Sequence, residues 1–419
     1  MAAQADRRRT RAAIAGAAMA ITIAVGIPAT TADATPAAPG GLGFYYPPAD
    51  LVAGTHGSAI WTRPINGDPG IPGAHNYLML YRSVDLRGQP VAVSGTLAIP
   101  QGTAPVGGWP LISYAHGTAG VADICAPSRD TGPSFLDHDY ISLQRAMLTR
   151  FVAAGYAVAA TDYQGLGTSQ GSGGIARHGY LIGDAEQRAV ADMALAARAV
   201  DPAIGSRWVA MGHSQGGQAA VFADAHSQQW APQLHLLGAV AMAPASHIGL
   251  GIRASALAAN AGLAASTGSI GQGAVSFMPL FIRGAQTIAP TDPARYLTPA
   301  ASAMLPQADN RCIDQLRESN SWGDLPLSQV LRPGADVSAL TRILDANEPS
   351  NLAFSTPLLV LQGRADTTVA PTATDAMVAR QRLTGQPVEY RNYPGVDHRG
   401  LLAASANDAL AWANTRFGR

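Results

Sequence analysis

The residues best placed to do chemistry lie in Trp208–Ala219, WVAMGHSQGGQA. The apolar run Trp208-Val209-Ala210-Met211 reads as a buried strand, Gly212-His213-Ser214-Gln215-Gly216 as a tight turn, and the Ala-rich segment beyond as a helix. G-x-S-x-G between a strand and a helix is the setting of a nucleophile elbow, where a strained turn holds a serine hydroxyl exposed. Gly212 and Gly216 are expected to be obligatory, because a side chain at either would strike the adjoining strand or helix. The helix N-terminus behind Ser214 favours the negative charge that develops during acyl transfer. In a chain with 45 glycines the pattern arises easily by chance, so its weight comes from the flanking strand and helix.

A serine nucleophile needs a base within reach and a carboxylate to orient that base. On this kind of scaffold the chain order is Ser, then Asp or Glu, then His. Of the ten histidines, His226, His235 and His247 follow the elbow but precede the final strands, whereas His398 follows the last one. His398 is therefore the candidate base. Asp366, in the loop after the apolar run Pro357–Leu361, is the candidate acid. Its rival Asp397 adjoins His398, and neighbouring side chains in an extended segment diverge. His213 fails as the base beside Ser214 for the same reason. The oxyanion is expected on the amide of Gln215 and on one amide of the loop Ser113–Gly120, with Thr118 the first choice and Gly117 the second.

These residues are useful only if a sheet brings them to one edge. Tyr77–Asp85 and Val91–Ile99 predict a β-hairpin, and Trp109–Tyr114 a third strand. From there strands alternate with helices: Ile141–Ala154 helical, Tyr156–Asp162 a strand, Ala185–Val200 helical, then the elbow strand. Leu236–Ala243, Pro357–Leu361 and Val388–Tyr393 complete about eight strands. The rhythm predicts an α/β fold with a mostly parallel, helix-covered sheet. Between Ala245 and about Ser355 no strand is evident, so 246–355 is expected to form a helical cap inserted between two parts of the core, 49–245 and 356–419. Its apolar piece Phe277–Ile282 suits an acyl pocket or the cap's own core equally well.

The remaining features bound the answer. Residues 1–34 read as a signal peptide: Arg7, Arg8, Arg9 and Arg11, an apolar stretch Ala12–Ala29, and a small-residue cleavage site at Ala32-Asp33-Ala34. Residues 35–48 read as a flexible leader ending near Phe44-Tyr45-Tyr46, and the expected location is extracellular. With 28 basic and 28 acidic residues the chain is neutral, and nothing suggests nucleic-acid binding. It contains no lysine, which excludes P-loop and Schiff-base chemistry. Export and an even cysteine count favour one disulfide between Cys125 and Cys312, a free buried pair being the alternative. His116 has no partner at ligand spacing, so no metal is expected. Gly165–Gly171 nearly mimics a dinucleotide fingerprint, but its last glycine comes one residue late, and no cofactor is expected.

The chain resembles the secretory lipase family, typified by yeast lipase A, from about Phe44 to the C-terminus. The resemblance rests on Phe44-Tyr45-Tyr46, Ser113-Tyr114 followed by Cys125-Ala126-Pro127-Ser128, and Asp162-Tyr163-Gln164-Gly165. Gly212–Gly216, Asp366 with Val369, and His398 complete it. It implies an α/β-hydrolase core with a helical cap, a Ser-Asp-His triad, hydrolysis of fatty-acyl esters and triglycerides, and a disulfide from the Cys125 segment to the cap. The chain departs from the yeast members in having only two cysteines. The expected protein is a monomer acting on a lipid or ester substrate, with transient contact at a lipid interface. Rival readings are a short-chain esterase, a serine peptidase and a catalytically inactive binding protein on the same scaffold.

Overall fold

Strands β2 (Ala74–Val84) and β3 (Pro90–Pro100) form the expected antiparallel hairpin, with Val84 opposite Pro90. The computed structural model describes residues 37–168, 177–261, 272–354 and 356–419, so the segment read as a signal peptide lies outside them. Seven further strands are β1 (Ala59–Ile65), β4 (Trp109–Ala115), β5 (Ala157–Thr161), β6 (Ile204–His213), β7 (His235–Met242), β8 (Leu358–Gly363) and β9 (Val388–Tyr393). They make one nine-stranded sheet in the order β1-β2-β3-β5-β4-β6-β7-β8-β9. The pairings from β5 through β9 are parallel, and those of β1, β2 and β3 antiparallel.

Among the described residues the sheet therefore has nine strands where the sequence pattern predicts eight. The missed strand is β1, AIWTRPI, which carries Pro64 and has a register irregularity between Ala59 and Trp61. Proline is tolerated because β1 is an edge strand, where a missing N–H interrupts no second ladder. The end of the expected leader is also anchored rather than loose. Gly41–Tyr45 forms a short 3-10 helix, Phe44 is fully buried, and Trp61 Nε1 donates to its carbonyl at 2.9 Å. Burying such a ring contributes about 1.5–3 kcal/mol, comparable to the entropy of ordering a residue or two of backbone.

Helices cover both faces. Gly183–Val200 and Gln215–Trp230 pack together on one face through Ala189, Ala194, Ala197, Ala219, Ala220 and Ala223. Small side chains let two helices and the sheet approach closely. His138–Ala153 and Leu401–Phe417 cover the other through Met147, Phe151, Leu402 and Trp412. The two helices predicted at 141–154 and 185–200 each begin two or three residues earlier in the structure. None of the described helices is long and apolar enough to cross a membrane.

Between β7 and β8 the described chain forms helices Ile248–Asn260, Met278–Gln286 and Ser338–Ala346 with several shorter turns. Their apolar side chains gather in a separate cluster that includes Ile252, Leu280, Ile282, Trp322 and Leu340. Phe277, Met278, Leu280, Phe281 and Ile282 all belong to it, together with Val121, Tyr180 and Leu181 from outside the segment. Cys312 of this segment is disulfide-bonded to Cys125 across 187 residues of sequence, and Ile313 N beside it donates to Ala119 O at 2.8 Å. Closing so long a loop restricts the unfolded chain. Replacing both cysteines by alanine is expected to lower the free energy of unfolding by about 2–5 kcal/mol. Urea unfolding of the oxidised protein and the double variant measures it, and an unshifted midpoint would show that the crosslink carries no stability.

Candidate active site

Four parallel strands deliver the candidate residues to the same edge. β4 runs out at Ala115 into the 116–120 loop, β6 ends at His213, β8 at Gly363 ahead of Asp366, and β9 at Tyr393 ahead of His398. The crevice beyond the carboxyl ends of such strands is where open α/β sheets bind ligands.

Ser214 sits at φ 60° and ψ −116°, outside the regions that a residue with a side chain normally adopts. Such a conformation costs about 1–3 kcal/mol and persists only where surroundings over-determine it. Ser214 N donates to Met242 O at 2.8 Å, and its carbonyl accepts from Gln218 N and Ala245 N, both at 3.1 Å. A Cβ at Gly212 would lie 2.0 Å from Gly216 O, and one at Gly216 would lie 1.9 Å from Ala115 O. Both elbow glycines are thus required by backbone that cannot move aside.

The Asp366 carboxylate is fixed before it meets any histidine. Its Oδ1 accepts from Thr368 N at 2.8 Å and Val369 N at 2.9 Å, and its Oδ2 accepts from Gln362 Nε2 at 3.2 Å. The same Oδ2 lies 2.7 Å from His398 Nδ1. An ionised carboxylate only accepts, so this bond puts the imidazole proton on Nδ1 and leaves Nε2 as an acceptor. Asp397 is exposed and accepts from Gly400 N at 2.7 Å instead. His398 and Ser214 line one small cavity of about 10 Å³, together with Thr118, Tyr140, Phe277 and Arg317. Among the described residues no direct hydrogen bond joins Ser214 Oγ to His398.

His213 holds the backbone of His398 instead of competing with it. Its Nε2 donates to His398 O at 2.9 Å, and its Nδ1 accepts from the Tyr140 hydroxyl at 2.6 Å. Burial, and then the neighbouring His398, push the His213 pKa well below the usual histidine range, so the ring stays neutral. The two imidazoles lie 4.5 Å apart between centroids.

The candidate oxyanion donors separate cleanly. Gln215 is the first residue of its helix, so its amide has no acceptor within the helix. Its buried side chain is clamped: Nε2 donates to Glu186 Oε1 at 2.7 Å and to His178 Nε2 at 2.8 Å. Thr118 lines the Ser214 cavity and its hydroxyl lies 2.8 Å from Tyr180 Oη. The Gly117 amide donates to Gln144 Oε1 at 3.1 Å, which corrects its standing as the second choice, since a donor already engaged is not available to an oxyanion. His116 packs on Tyr163 at 4.5 Å, its Nδ1 2.6 Å from Gly117 O. No group of three or more His, Cys, Asp or Glu arranged for a metal occurs among the described residues. Gly165 lies in a turn against Arg177 O, and 169–171 of the dinucleotide-like stretch lie outside the described residues.

Sequence reasoning missed Tyr140, His178, Glu186, Arg317 and Arg399, and assigned no task to His213. Nothing in their spacing marks them; they converge from separate elements. Glu186 is fully buried, and its pKa is pushed up to about 8 by desolvation. Between the ordinary carboxylate range and about 8 the unfolded chain has lost this proton and the folded chain keeps it, so stability falls as pH rises. Glu186→Gln keeps an oxygen for Gln215 and Leu181 without the proton. The variant is expected to show a shallower loss of stability over this window, the difference reaching at most about 1.4 kcal/mol per pH unit. Paired urea titrations between pH 5 and 8 measure it; parallel curves would mean that Glu186 ionises freely in the fold.

The sheet order is that of the α/β-hydrolase fold. The fold matches the rice cell wall degrading esterase LipA from Xanthomonas oryzae with a TM-score of 0.67 and 17% identity, over 87% of this chain and 98% of that one. It also matches Candida antarctica lipase A with a TM-score of 0.63 and 19% identity, over 85% and 80% of the two chains. A Mycobacterium tuberculosis protein described as a probable inactive lipase is 24% identical over 381 residues, 89% of this chain and 81% of its own. The family model for secretory lipases matches residues 134–419. The chain belongs to the secretory lipase family.

Proposed function

We propose that this protein is a secreted serine hydrolase that cleaves carboxylic esters through an acyl-enzyme on Ser214. The observation that carries the reading is the Asp366–His398 hydrogen bond of 2.7 Å, with His398 and the strained Ser214 lining one cavity. His398 Nε2 takes the proton as Ser214 Oγ bonds to the ester carbonyl carbon. Negative charge then collects on the former carbonyl oxygen, beside the amides of Gln215 and Thr118. Collapse breaks the bond to the alcohol oxygen, which leaves with the proton from His398. Water attacks the acyl-enzyme with His398 again accepting a proton, and the acid departs as Ser214 Oγ takes that proton back from His398. Asp366 holds the ring in this tautomer and stabilises the imidazolium. The Arg-rich N-terminal segment, the disulfide and the family support secretion.

The family makes fatty-acyl esters, triacylglycerols included, the expected substrates, reached by transient contact with a lipid interface. One observation favours a second reading, a short soluble ester. The cavity at Ser214 itself is only about 10 Å³, far smaller than the cleft of about 400 Å³ with which it shares His398. Comparing emulsified long-chain triacylglycerol with p-nitrophenyl acetate and butyrate separates the two. The relative described as inactive makes the binding-protein alternative concrete. A fluorophosphonate probe should label the wild type and not Ser214→Ala, and Ser214→Ala should lower kcat on a p-nitrophenyl ester by roughly 10⁴-fold or more. Near-wild-type turnover in that variant removes Ser214 as nucleophile, and an unlabelled wild type favours the binding protein.

A further inference from the structure

The wall of the Ser214 cavity is unusual for a site that handles neutral fatty esters. Two of its lining residues are Arg317 and Arg399, and both also line a wider cleft of about 400 Å³ that shares His398 with it. The oxyanion reading above relies on backbone amides, so neither guanidinium has a task in it.

Both cations are held in place with donors to spare. Arg317 Nη1 lies 3.3 Å from Asp314 Oδ1, and Arg399 Nη2 lies 2.5 Å from that same oxygen. Arg399 also stacks over the Tyr140 ring, with its guanidinium carbon 4.7 Å from the centroid, and Arg317 over Phe277 at 5.2 Å. Each guanidinium carries five N–H groups in a fixed fork, and the hydrogen bond to Asp314 occupies one nitrogen of each.

Among the described residues the lining of the Ser214 cavity holds two arginines and no carboxylate. One carboxylate, Asp314, serves two arginines. Behind it lies buried Asp137, whose Oδ1 accepts from Asp314 N at 3.2 Å. Burial, followed by the Asp314 charge, pushes the Asp137 pKa up to about 8, so at neutral pH it does not cancel the second arginine. Asp397 lines the wider cleft, exposed and turned to Gly400 N. Paired guanidiniums in a concave site concentrate positive potential and match a planar carboxylate with two parallel bonds.

Resting on the ester-hydrolase reading, we propose that the substrate carries a carboxylate a few bonds from the scissile ester, seated between Arg317 and Arg399. Such a substrate is a half-ester of a dicarboxylic acid or an ester of a hydroxy acid. The carboxylate fixes the ester over Ser214 and supplies binding energy that a plain alkyl chain lacks.

Matched pairs differing only in the charge test this. On the alcohol side the pair is 4-acetoxybenzoate and 4-acetoxybenzamide; on the acyl side it is monomethyl adipate and methyl 5-carbamoylpentanoate. At least one anion is expected to exceed its amide by about tenfold or more in kcat/KM, chiefly through KM, with the advantage shrinking as salt is added. Arg317→Gln and Arg399→Gln should each reduce the anion-to-amide ratio, and Arg399→Lys should restore part of it by keeping the charge. The salt dependence is read on the wild type, so a variant that fails to fold does not leave the question open. Hydrolysis of p-nitrophenyl acetate with equal or better use of both amides overturns the carboxylate proposal and spares the ester-hydrolase reading. Failure to cleave any of these esters strikes both.

Discussion

The site depends on one steric constraint: the carbonyl of Ala115 lies against Gly216, and the carbonyl of Gly216 lies against Gly212. The end of β4, the end of β6 and the first turn of the helix Gln215–Trp230 meet there with no room for a side chain. That closeness forces the chain to reverse at a single residue, and the residue at the reversal takes the positive φ of Ser214. The amide of Gln215, first in its helix, follows directly on the serine. A looser junction would relax the turn and disperse both the hydroxyl and the amide.

A second layer of polar contacts turns this backbone feature into a defined arrangement of side chains. Asp366 is held by two amides of its own loop before it accepts from His398. His398 is held twice, through its ring by Asp366 and through its carbonyl by His213. Tyr140, from the helix on the opposite face from Gln215–Trp230, closes the chain by donating to His213. Buried polar groups are tolerated here because each has its partner; a chain missing one member would leave a desolvated donor or acceptor. On the other side of the serine Glu186 and His178 hold Gln215 Nε2, while Gln215 Oε1 and Glu186 Oε2 stay buried without a hydrogen-bond partner among the described residues.

The segment between β7 and β8 brings a different chemistry. Its apolar side chains share one cluster with Val121, Tyr180 and Leu181, and Phe277, Ile313 and Arg317 also line the cavity at Ser214. The disulfide to Cys125 and the bond from Ile313 to Ala119 tie that contact to the loop carrying Thr118. The same core that fits an esterase and a lipase in other chains thus carries here a lining of mixed apolar and cationic character, set in part by the segment between β7 and β8.

The sequence by itself determined the elbow, the parallel core and the order of the candidate residues, because each leaves a local mark. Glycines are needed at fixed spacing around a reversal, buried parallel strands read as continuous apolar runs, and His398 is the one histidine after the final strand. It also carried the two cysteines and the family resemblance. Edge strand β1 escaped notice because a strand paired on one side tolerates proline and irregular register, so its pattern is weak. Tertiary structure alone decided that Gly117 is engaged by Gln144, that His213 braces His398, and that Arg317 and Arg399 line one cavity with Ser214. Those facts depend on side chains from elements far apart in the chain meeting at one point. No periodicity or spacing encodes such a meeting; it exists only once the sheet and the inserted segment have packed.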